Sequence, residues 1–378
     1  MAASITLDAL RDLAAFRAAK GCAISLYLDL DPQTTVNPGD VNAKVNSLLD
    51  AGRGGFDTAT MTREQKQGLR DDVERIRAYF ADGFDRSGTR SLALFASSLD
   101  GLWREVPLNC TVEDDVRLGR ELYLAPLVAC LGRGDGVLVA VVGRERGQLF
   151  RLRGGRLDEV VDETEDAPSR HDQGGWSQAR YQRHIDEIVA RHLRRVVGLV
   201  DERVRRDPAL RLVVVAAESA RSEIESLLSP EAQKAVIGWA SAEAHAEGPQ
   251  LLEVVQPVVD RARAEDERRA IERWREEASR EGRATAGWEH TLEAASDGRV
   301  DLLLVGGNAN HAAFQCPACG RGQATNGTCP LDGTVMEKRE DGLDLAVHQT
   351  LQHGGSVCVA EHHDDLAPVE GIGALLRY

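Results

Sequence analysis

The sequence predicts an α/β protein with three domains, and three observations support this fold class. Strand-like apolar runs recur between helical stretches along the whole chain. A glycine-rich turn near residue 134 and a mixed-charge helical stretch over 256–282 separate them into three groups. The 378 residues, 42% hydrophobic and 28% charged, are enough for two or three separate cores. We expect domains at 1–133, 134–262 and 263–378.

The first predicted domain is of an α+β or α/β type. A β-rich run at 23–32 precedes two helical stretches, around 42–52 and 62–82. Further strands are predicted at 89–98, 102–108 and 120–131.

The middle predicted domain combines a hairpin-rich start with a strand and helix alternation. Two or three antiparallel strands over 136–163 lead through a polar loop, 165–177, into a long helix from Gln178 to Arg206. A buried strand, a short helix and another strand follow. This order predicts a mixed sheet flanked by helices.

The third predicted domain is a small α/β sandwich with an insertion. A helix, a turn and a buried strand occupy 290–307, and a second helix and strand follow at 344–355 and 356–362. A cysteine-rich insertion, about 314–336, interrupts this pattern.

Charge and hydropathy exclude several classes of function. The net charge of −15 argues against nonspecific coating of DNA or RNA, which needs an excess of Lys and Arg. No apolar run approaches the roughly 20 residues that cross a bilayer, and the N-terminus lacks the apolar stretch of a signal peptide. We therefore expect a cytoplasmic protein that binds neither membranes nor DNA.

Seven cysteines divide into four scattered residues and three that cluster. In a reducing cytosol we expect the scattered four to be small buried hydrophobic residues rather than disulfide partners. These four are Cys22, Cys110, Cys130 and Cys358.

The insertion has the spacing of a metal-binding site. Cys316 and Cys319 form a CPxC pair, and Cys329 and Asp332 form a CPxD pair, each followed by a glycine that allows a tight turn. Four such ligands predict a closed, structural zinc site, with His311 as a second candidate for the fourth ligand. The alternative is a knuckle closed by hydrogen bonds without a metal.

A basic loop and helix lie in the middle of this acidic chain. Between Arg170 and Arg206 there are nine arginines and five acids, and paired glycines, Gly174 and Gly175, make a bare loop tip. An ordinary loop before a solvated basic helix would have the same composition. If the helix contacts RNA, the phosphate-binding candidates are Arg170, Arg180, Arg183, Arg191, Arg194 and Arg195.

This loop and helix resemble the catalytic loop and following helix of the archaeal and eukaryotic class 1 release factors, the family that includes Pelota. Weaker likeness surrounds Asn42 and Lys44, near the family's codon-reading loop. Closer likeness occurs at 290–305 and in the final segment, 371–378. The similarity therefore extends from about residue 24 to the end.

The resemblance implies a fold and partners. It implies a ribonuclease-H-like middle domain and a ribosomal-protein-like C-terminal sandwich of the kind that contacts translational GTPases such as elongation factor Tu. It also implies a tRNA-like shape that docks on ribosomal RNA in the A site, with Asn42 and Lys44 among the RNA-binding residues.

The departures from the family motif point to a specific branch. Trp176 stands where the family has its catalytic glutamine, and Gln178 lies two residues further on. An indole keeps the backbone amide but fills the space and offers one donor, so efficient ester hydrolysis is not expected. We expect a factor of the Balon-like hibernation branch. The alternatives are a peptidyl-tRNA hydrolase that uses Gln178 or the Trp176 amide, and a non-ribosomal RNA-binding adaptor.

Overall fold

The chain forms two compact units. Unit 1 contains residues 1–131 and 264–378, and unit 2 contains residues 132–263. The structure thus groups most of the first and third predicted domains into one unit, and the division into three domains stays a prediction. The computed structural model describes residues 5–31, 38–56, 59, 61–82, 84, 89–108, 110–131, 136–153, 155–163, 178–242, 246–280, 282–307, 309–362 and 364–378, with only the backbone at 38, 54, 55 and 178–185. Within these ranges no helix has the length and apolarity needed to span a bilayer.

The N-terminal part of unit 1 is an antiparallel sheet with helices. Its elements are α1 (Leu7–Ala14), β1 (Ala23–Asp29), α2 (Pro38–Gly55), α3 (Arg63–Ala81), β2 (Ser91–Ser97), β3 (Leu102–Leu108), β4 (Asp115–Gly119) and α4 (Ala125–Val128). The strand order is β3-β2-β1-β4. A capping box between Thr62 and Gln65 begins α3, as its sequence favours.

Both faces of this sheet are buried because its strands are apolar on both sides. Ile24, Leu26 and Leu28 of β1 belong to a core shared with α2 and α3. Tyr27 of β1 and Phe95 of β2 point to the opposite face and belong to a second core.

One predicted strand of this segment is wrong. Residues 120–131 contain α4 and a single bridge residue, Glu121, and the fourth strand lies earlier, at β4. Pro126 suits the first turn of a helix, where its missing N–H is not needed. The backbone N–H groups of Leu124 and Ala125 donate to a distant carboxylate that the local pattern does not reveal.

Unit 2 is a five-stranded mixed sheet between two helical layers, as predicted. Its elements are β5 (Leu138–Val142), β6 (Gly147–Arg153), β7 (Arg156–Asp162), α5 (Gln178–Arg206), β8 (Leu212–Val215), α6 (Arg221–Leu227), α7 (Pro230–Ala235), β9 (Val236–Ala240) and the first half of α8 (Gly248–Ser279). The order is β7-β6-β5-β8-β9, with β5, β6 and β7 antiparallel and β8 and β9 parallel to β5.

Helix α8 begins earlier than the sequence suggests. The predicted helical stretch starts at residue 256, beside Pro257, and proline is typical of a first helical turn. In the structure the helix starts at Gly248 and passes through Pro257. Leu251, Val255 and Val259 pack against the sheet of unit 2, and this burial holds the helical turns on both sides of the proline.

The C-terminal part of unit 1 is the predicted α/β sandwich with its insertion. Its elements after α8 are β10 (Ala284–Ala286), α9 (Trp288–Ser296), β11 (Val300–Gly306), β12 (Ala313–Gln315), β13 (Gly322–Gln323), β14 (Glu337–Arg339), α10 (Gly342–Gln352), β15 (Ser356–Ala360) and β16 (Ile372–Leu376). The main sheet has the order β10-β16-β11-β15, and the insertion forms a small sheet, β13-β12-β14.

The two parts of unit 1 share a core and a polar seam. Asp344 of α10 is 4% exposed and accepts hydrogen bonds from the N–H groups of Leu124 and Ala125 at 2.7 and 3.1 Å. Burial raises the pKa of this carboxyl. Nε2 of His348, one turn later, lies 2.5 Å from the carbonyl oxygen of Leu122. Because every one of these contacts joins residues far apart in sequence, they tie the two parts together.

The expectation for two of the scattered cysteines is wrong. Cys110 and Cys130 form a disulfide with a Cα–Cα distance of 5.5 Å, inside the shared core. The sequence hides this pairing because the chain after β3 and the end of α4 meet only in the tertiary structure. Cys22 is a buried thiol, as expected, and Cys358 is a half-buried thiol.

We predict that the disulfide stabilises unit 1 measurably. It closes a loop with a sequence separation of 20, and a loop of this size corresponds to about 3 kcal/mol of unfolding free energy. Reductant should lower the urea unfolding free energy of the wild type by about that amount. The double variant Cys110→Ala/Cys130→Ala serves as the control and should not respond to reductant. An equal response of both proteins would assign the effect to other thiols and contradict the prediction.

Candidate functional site

The insertion folds as two knuckles with the same hydrogen-bond pattern. In the first, the N–H of Cys316 donates to the carbonyl oxygen of Arg321 at 2.8 Å, and the N–H of Gly320 donates to Cys316 O at 2.9 Å. Gly320 has a φ of 82°, a conformation that favours glycine. The turn therefore curls the backbone around the side chain of Cys316.

The second knuckle repeats the first at the same spacing. The N–H of Cys329 donates to Thr334 O at 2.8 Å, the N–H of Gly333 donates to Cys329 O at 2.9 Å, and Gly333 has a φ of 74°. Two equivalent turns that face each other are the arrangement in which four ligands meet at one point.

The four predicted ligands do meet. One donor atom from each of Cys316, Cys319, Cys329 and Asp332 lies within 4.8 Å of the others. The sulfurs of Cys319 and Cys329 are 3.5 Å apart, and Cys316 Sγ lies 3.4 Å from Asp332 Oδ2. A tetrahedral zinc ion with Zn–S bonds of about 2.3 Å separates sulfur ligands by about 3.8 Å. The cluster thus has the size of a four-coordinate metal site.

His311, the second candidate for the fourth ligand, lies elsewhere. Its ring stacks on Trp288 with a centroid distance of 5.7 Å, and its Nδ1 is 2.6 Å from the carbonyl oxygen of Ala312. It does not belong to the group of potential ligands in the described part of the chain.

The electrostatics of the cluster suit a bound cation. The N–H of Thr334 donates to Asp332 at 2.9 Å and holds the pKa of this carboxyl well below its usual range. The backbone N–H of Arg321 stabilises the thiolate of Cys319. Burial and the hydrogen bonds that this thiol shares with the other ligands outweigh that effect and raise the pKa of Cys319 to about 12. Because zinc binds thiols in their deprotonated form, a divalent cation would offset the cost of ionising Cys319.

Sequence reasoning missed the residues that anchor the knuckles to the sandwich. Arg321, with a side chain 12% exposed, pairs with Asp297 of α9 at 2.5 Å. Gln349 of α10 donates from Nε2 to Gly320 O at 2.8 Å. A CPxC pattern identifies ligands and carries no information about these partners, which lie on other elements.

The basic helix is α5, and its bounds agree with the prediction. Val189, Leu193 and Val196 pack against the sheet of unit 2, which leaves Arg191 and Arg194 exposed. Arg195 is half-exposed and lies 3.5 Å from Glu163.

Several predicted residues of this region fall outside the described part of the chain. These are Arg170, Gly174, Gly175 and Trp176, together with the side chains of Gln178, Arg180 and Arg183. Their proposed roles stay predictions.

Lys44 of α2, a predicted RNA ligand, makes contacts inside unit 1. Its Nζ lies 2.9 Å from Asp114 Oδ2 and donates to the carbonyl oxygen of Asp29 at 2.9 Å. This ammonium therefore joins α2 to the ends of two strands. Asn42 is half-buried on the same helix. An RNA contact by either residue stays a prediction.

Comparison with known proteins identifies the relationship of the chain. Residues 123–263 match bacterial archaeo-eukaryotic release factor family 10. The chain is similar to the archaeo-eukaryotic release factors. The predicted family resemblance is therefore confirmed, and the matched residues correspond to unit 2 and the segment that leads into it.

Two archaeal release factors support this relationship in sequence. Peptide chain release factor subunit 1 of Archaeoglobus fulgidus is 24% identical over 210 residues, 53% of this chain and 51% of that protein. The protein of the same name from Methanopyrus kandleri is 24% identical over 211 residues, 54% and 51% of the two chains. The chain thus matches about half the length of these relatives.

Solved structures give a weaker likeness. Pelota of Archaeoglobus fulgidus is 14% identical, covers 100% of this chain and 93% of that chain, and has a TM-score of 0.34. Because this TM-score is low, the similarity of this chain to the release factors rests on the sequence matches.

Proposed function

We propose that the chain is a translation factor that occupies the ribosomal A site in a tRNA-like shape without efficient peptide release, in ribosome hibernation. The matched family and its archaeal relatives, named as peptide chain release factors, support ribosome binding. The observation that carries the finer proposal is Trp176, which follows Gly174 and Gly175 where the family has its catalytic glutamine.

The chemistry of tryptophan favours filling a site over hydrolysis. Ester hydrolysis needs a positioned water and a slim tip beside the bond, whereas a blocking factor needs only to fill the space. An indole has a single N–H donor and no acceptor, so it cannot orient water as an amide side chain does. Its flat face can stack on an exposed base, an interaction worth roughly 1–3 kcal/mol.

The sheet of unit 2 supports a ribonuclease-H-like fold for the middle of the chain. Three antiparallel strands followed by two strands parallel to the first are the arrangement expected of that fold. For the C-terminal sandwich we propose the ribosomal-protein-like fold of the family and, with it, contact with a translational GTPase such as elongation factor Tu. Both are proposals from the resemblance.

The basic face of α5 supports contact with ribosomal RNA. Arg191 and Arg194 project from the surface of unit 2 on successive turns, while the apolar side of the helix is buried. Exposed guanidinium groups at this spacing can contact successive phosphates of one strand.

For the cysteine-rich insertion we propose a structural zinc ion. Cys316, Cys319, Cys329 and Asp332 would hold it, and the ion would supply charge neutralisation and a crosslink between the two knuckles. All four coordination positions have a protein ligand, so no position is open for substrate.

We predict that the purified protein carries about one equivalent of zinc, because a closed site with four protein ligands binds it tightly. Cys316→Ser should release the ion and expose the insertion to protease. Cys358→Ser, at a half-buried thiol outside the cluster, should keep both the zinc content and the resistance to protease. Metal analysis and limited proteolysis measure the two effects. A wild-type protein that keeps its melting curve without bound metal would refute the zinc site.

We predict that Arg191→Gln/Arg194→Gln weakens ribosome binding and flattens its salt dependence. Each lost phosphate contact should reduce the slope of log K against log salt by about one unit. The matched control is Arg268→Gln/Arg269→Gln on α8, whose guanidinium groups already pair with Glu265 and Asp266. Co-sedimentation over a salt series gives both slopes. An identical slope in all three proteins would show that α5 is a solvated basic helix without phosphate contacts.

We predict that the protein binds ribosomes with an empty A site but releases little peptide from peptidyl-tRNA. Trp176→Ala should weaken binding about tenfold if the ring stacks on a base. Trp176→Gln should release little peptide because Ser177 and Gln178 are shifted relative to the family motif. Single-turnover release is the measurement. Release at the rate of an archaeal release factor, lost in Gln178→Ala but not in Gln182→Ala, would favour the peptidyl-tRNA hydrolase instead.

A further inference from the structure

Unit 1 contains a cavity that the proposed function does not use. It has a volume of about 460 Å³ and is lined by residues just before β1, beside the end of α2 and the start of α3, at the end of β4 and after it, and in and after the cysteine-rich insertion. This volume falls within the range of small-molecule sites, roughly 300–1,000 Å³. Cys316 and Pro317 of the first knuckle form part of one wall.

Three arginines and one largely buried acid line this cavity. Arg17, Arg120 and Arg339 line it, together with Glu121, whose side chain is 9% exposed. Nη1 of Arg17 lies 3.7 Å from Glu121 Oε1, and Nη2 of Arg339 lies 4.0 Å from Oε2. Both distances exceed a hydrogen bond, so Glu121 attracts the two guanidinium groups without saturating their N–H donors.

Backbone pairing fixes the positions from which these side chains extend. Arg17 and Glu121 form an isolated antiparallel bridge, and the N–H of Ala18 donates to Arg120 O at 2.7 Å. Arg339 belongs to β14, which pairs with Ala313 of β12. A site built on paired backbone needs little reorganisation to bind a ligand.

The charge of the cavity is positive although the chain is acidic. Three guanidinium groups face two carboxylates, Glu121 and the exposed Glu337, which leaves one positive charge in excess in a chain of net charge −15. Planar guanidinium groups bind phosphate and carboxylate through paired hydrogen bonds. The charged side of the cavity therefore suits a phosphate group.

Apolar side chains also line the cavity. Phe56, Met61 and Leu118 are among them, and an aromatic ring such as that of Phe56 can stack on a base. Gln65 also lines the cavity, and its side-chain carbonyl oxygen accepts from the N–H of Thr62 at 3.0 Å. This contact fixes the orientation of an amide that can hydrogen-bond a base edge.

We propose that this cavity binds a free mononucleotide, with the phosphate on Arg17 and Arg339 and the base against Phe56. The phosphate alone would leave most of the volume empty, and a nucleoside alone would leave the guanidinium groups without an anion. A single nucleotide meets both requirements in a cavity of this volume.

Isothermal titration of the intact purified chain with AMP, adenosine, inorganic phosphate and an adenine tetranucleotide tests the proposal. AMP should bind at least about tenfold more tightly than adenosine or phosphate, because hydrogen bonds to charged groups contribute about 1.5–3 kcal/mol. Saturable AMP binding with this ranking would support the proposal. Binding of the tetranucleotide without AMP, or of no probe, would overturn it.

Three variants separate a charge-driven site from general instability. Arg339→Gln should weaken AMP binding about tenfold, and Glu337→Gln should tighten it several-fold because it removes a repulsive carboxylate. Arg104→Gln, at an exposed arginine of β3 outside the cavity, should leave the affinity unchanged. Because two variants move the affinity in opposite directions, a loss of folding cannot imitate the pattern. Equal changes in all three would contradict the proposal.

Discussion

The carboxylate of Asp344 is the contact on which the organisation of unit 1 depends. It accepts hydrogen bonds from backbone N–H groups at the start of α4 that have no partner within that helix. Asp344 lies 220 positions after Leu124 in the sequence. A buried carboxylate is tolerated only where donors satisfy it, and here the N–H groups of Leu124 and Ala125 do so. In the described part of the chain, the face of the first sheet that carries Tyr27 and Phe95 packs into the core shared with the C-terminal sandwich, so its stability depends in part on that sandwich.

This dependence explains which parts of the fold the sequence predicts. The helix from Gln178 to Arg206 and the mixed sheet of unit 2 follow from apolar periodicity, because local patterns determine them. The strand predicted over 120–131 failed where a distant carboxylate and Pro126 favour a helix. The disulfide of Cys110 and Cys130 was missed because no local pattern shows that the two cysteines meet in the core.

The candidate sites differ in the same way. Ligand spacing in the insertion was sufficient to predict Cys316, Cys319, Cys329 and Asp332, because both knuckles form within a few residues of their ligands. The choice between Asp332 and His311 required the structure, which stacks His311 on Trp288. The cavity beside Glu121 is lined by residues from at least four separate segments of the chain, so no single local pattern predicts it.

The division of unit 1 between the two ends of the chain also has a consequence during synthesis. Residues 1–131 leave the ribosome with part of the shared core still missing, and the partner for Leu124 is made 220 residues later. At roughly 5–20 residues per second this interval lasts about 10–40 s. Unit 2 is synthesised during this interval and is continuous in sequence. It can therefore fold before the C-terminal residues of the shared core have been made. A nascent chain of this protein therefore passes through a stage in which its middle is native and its beginning is aggregation-prone.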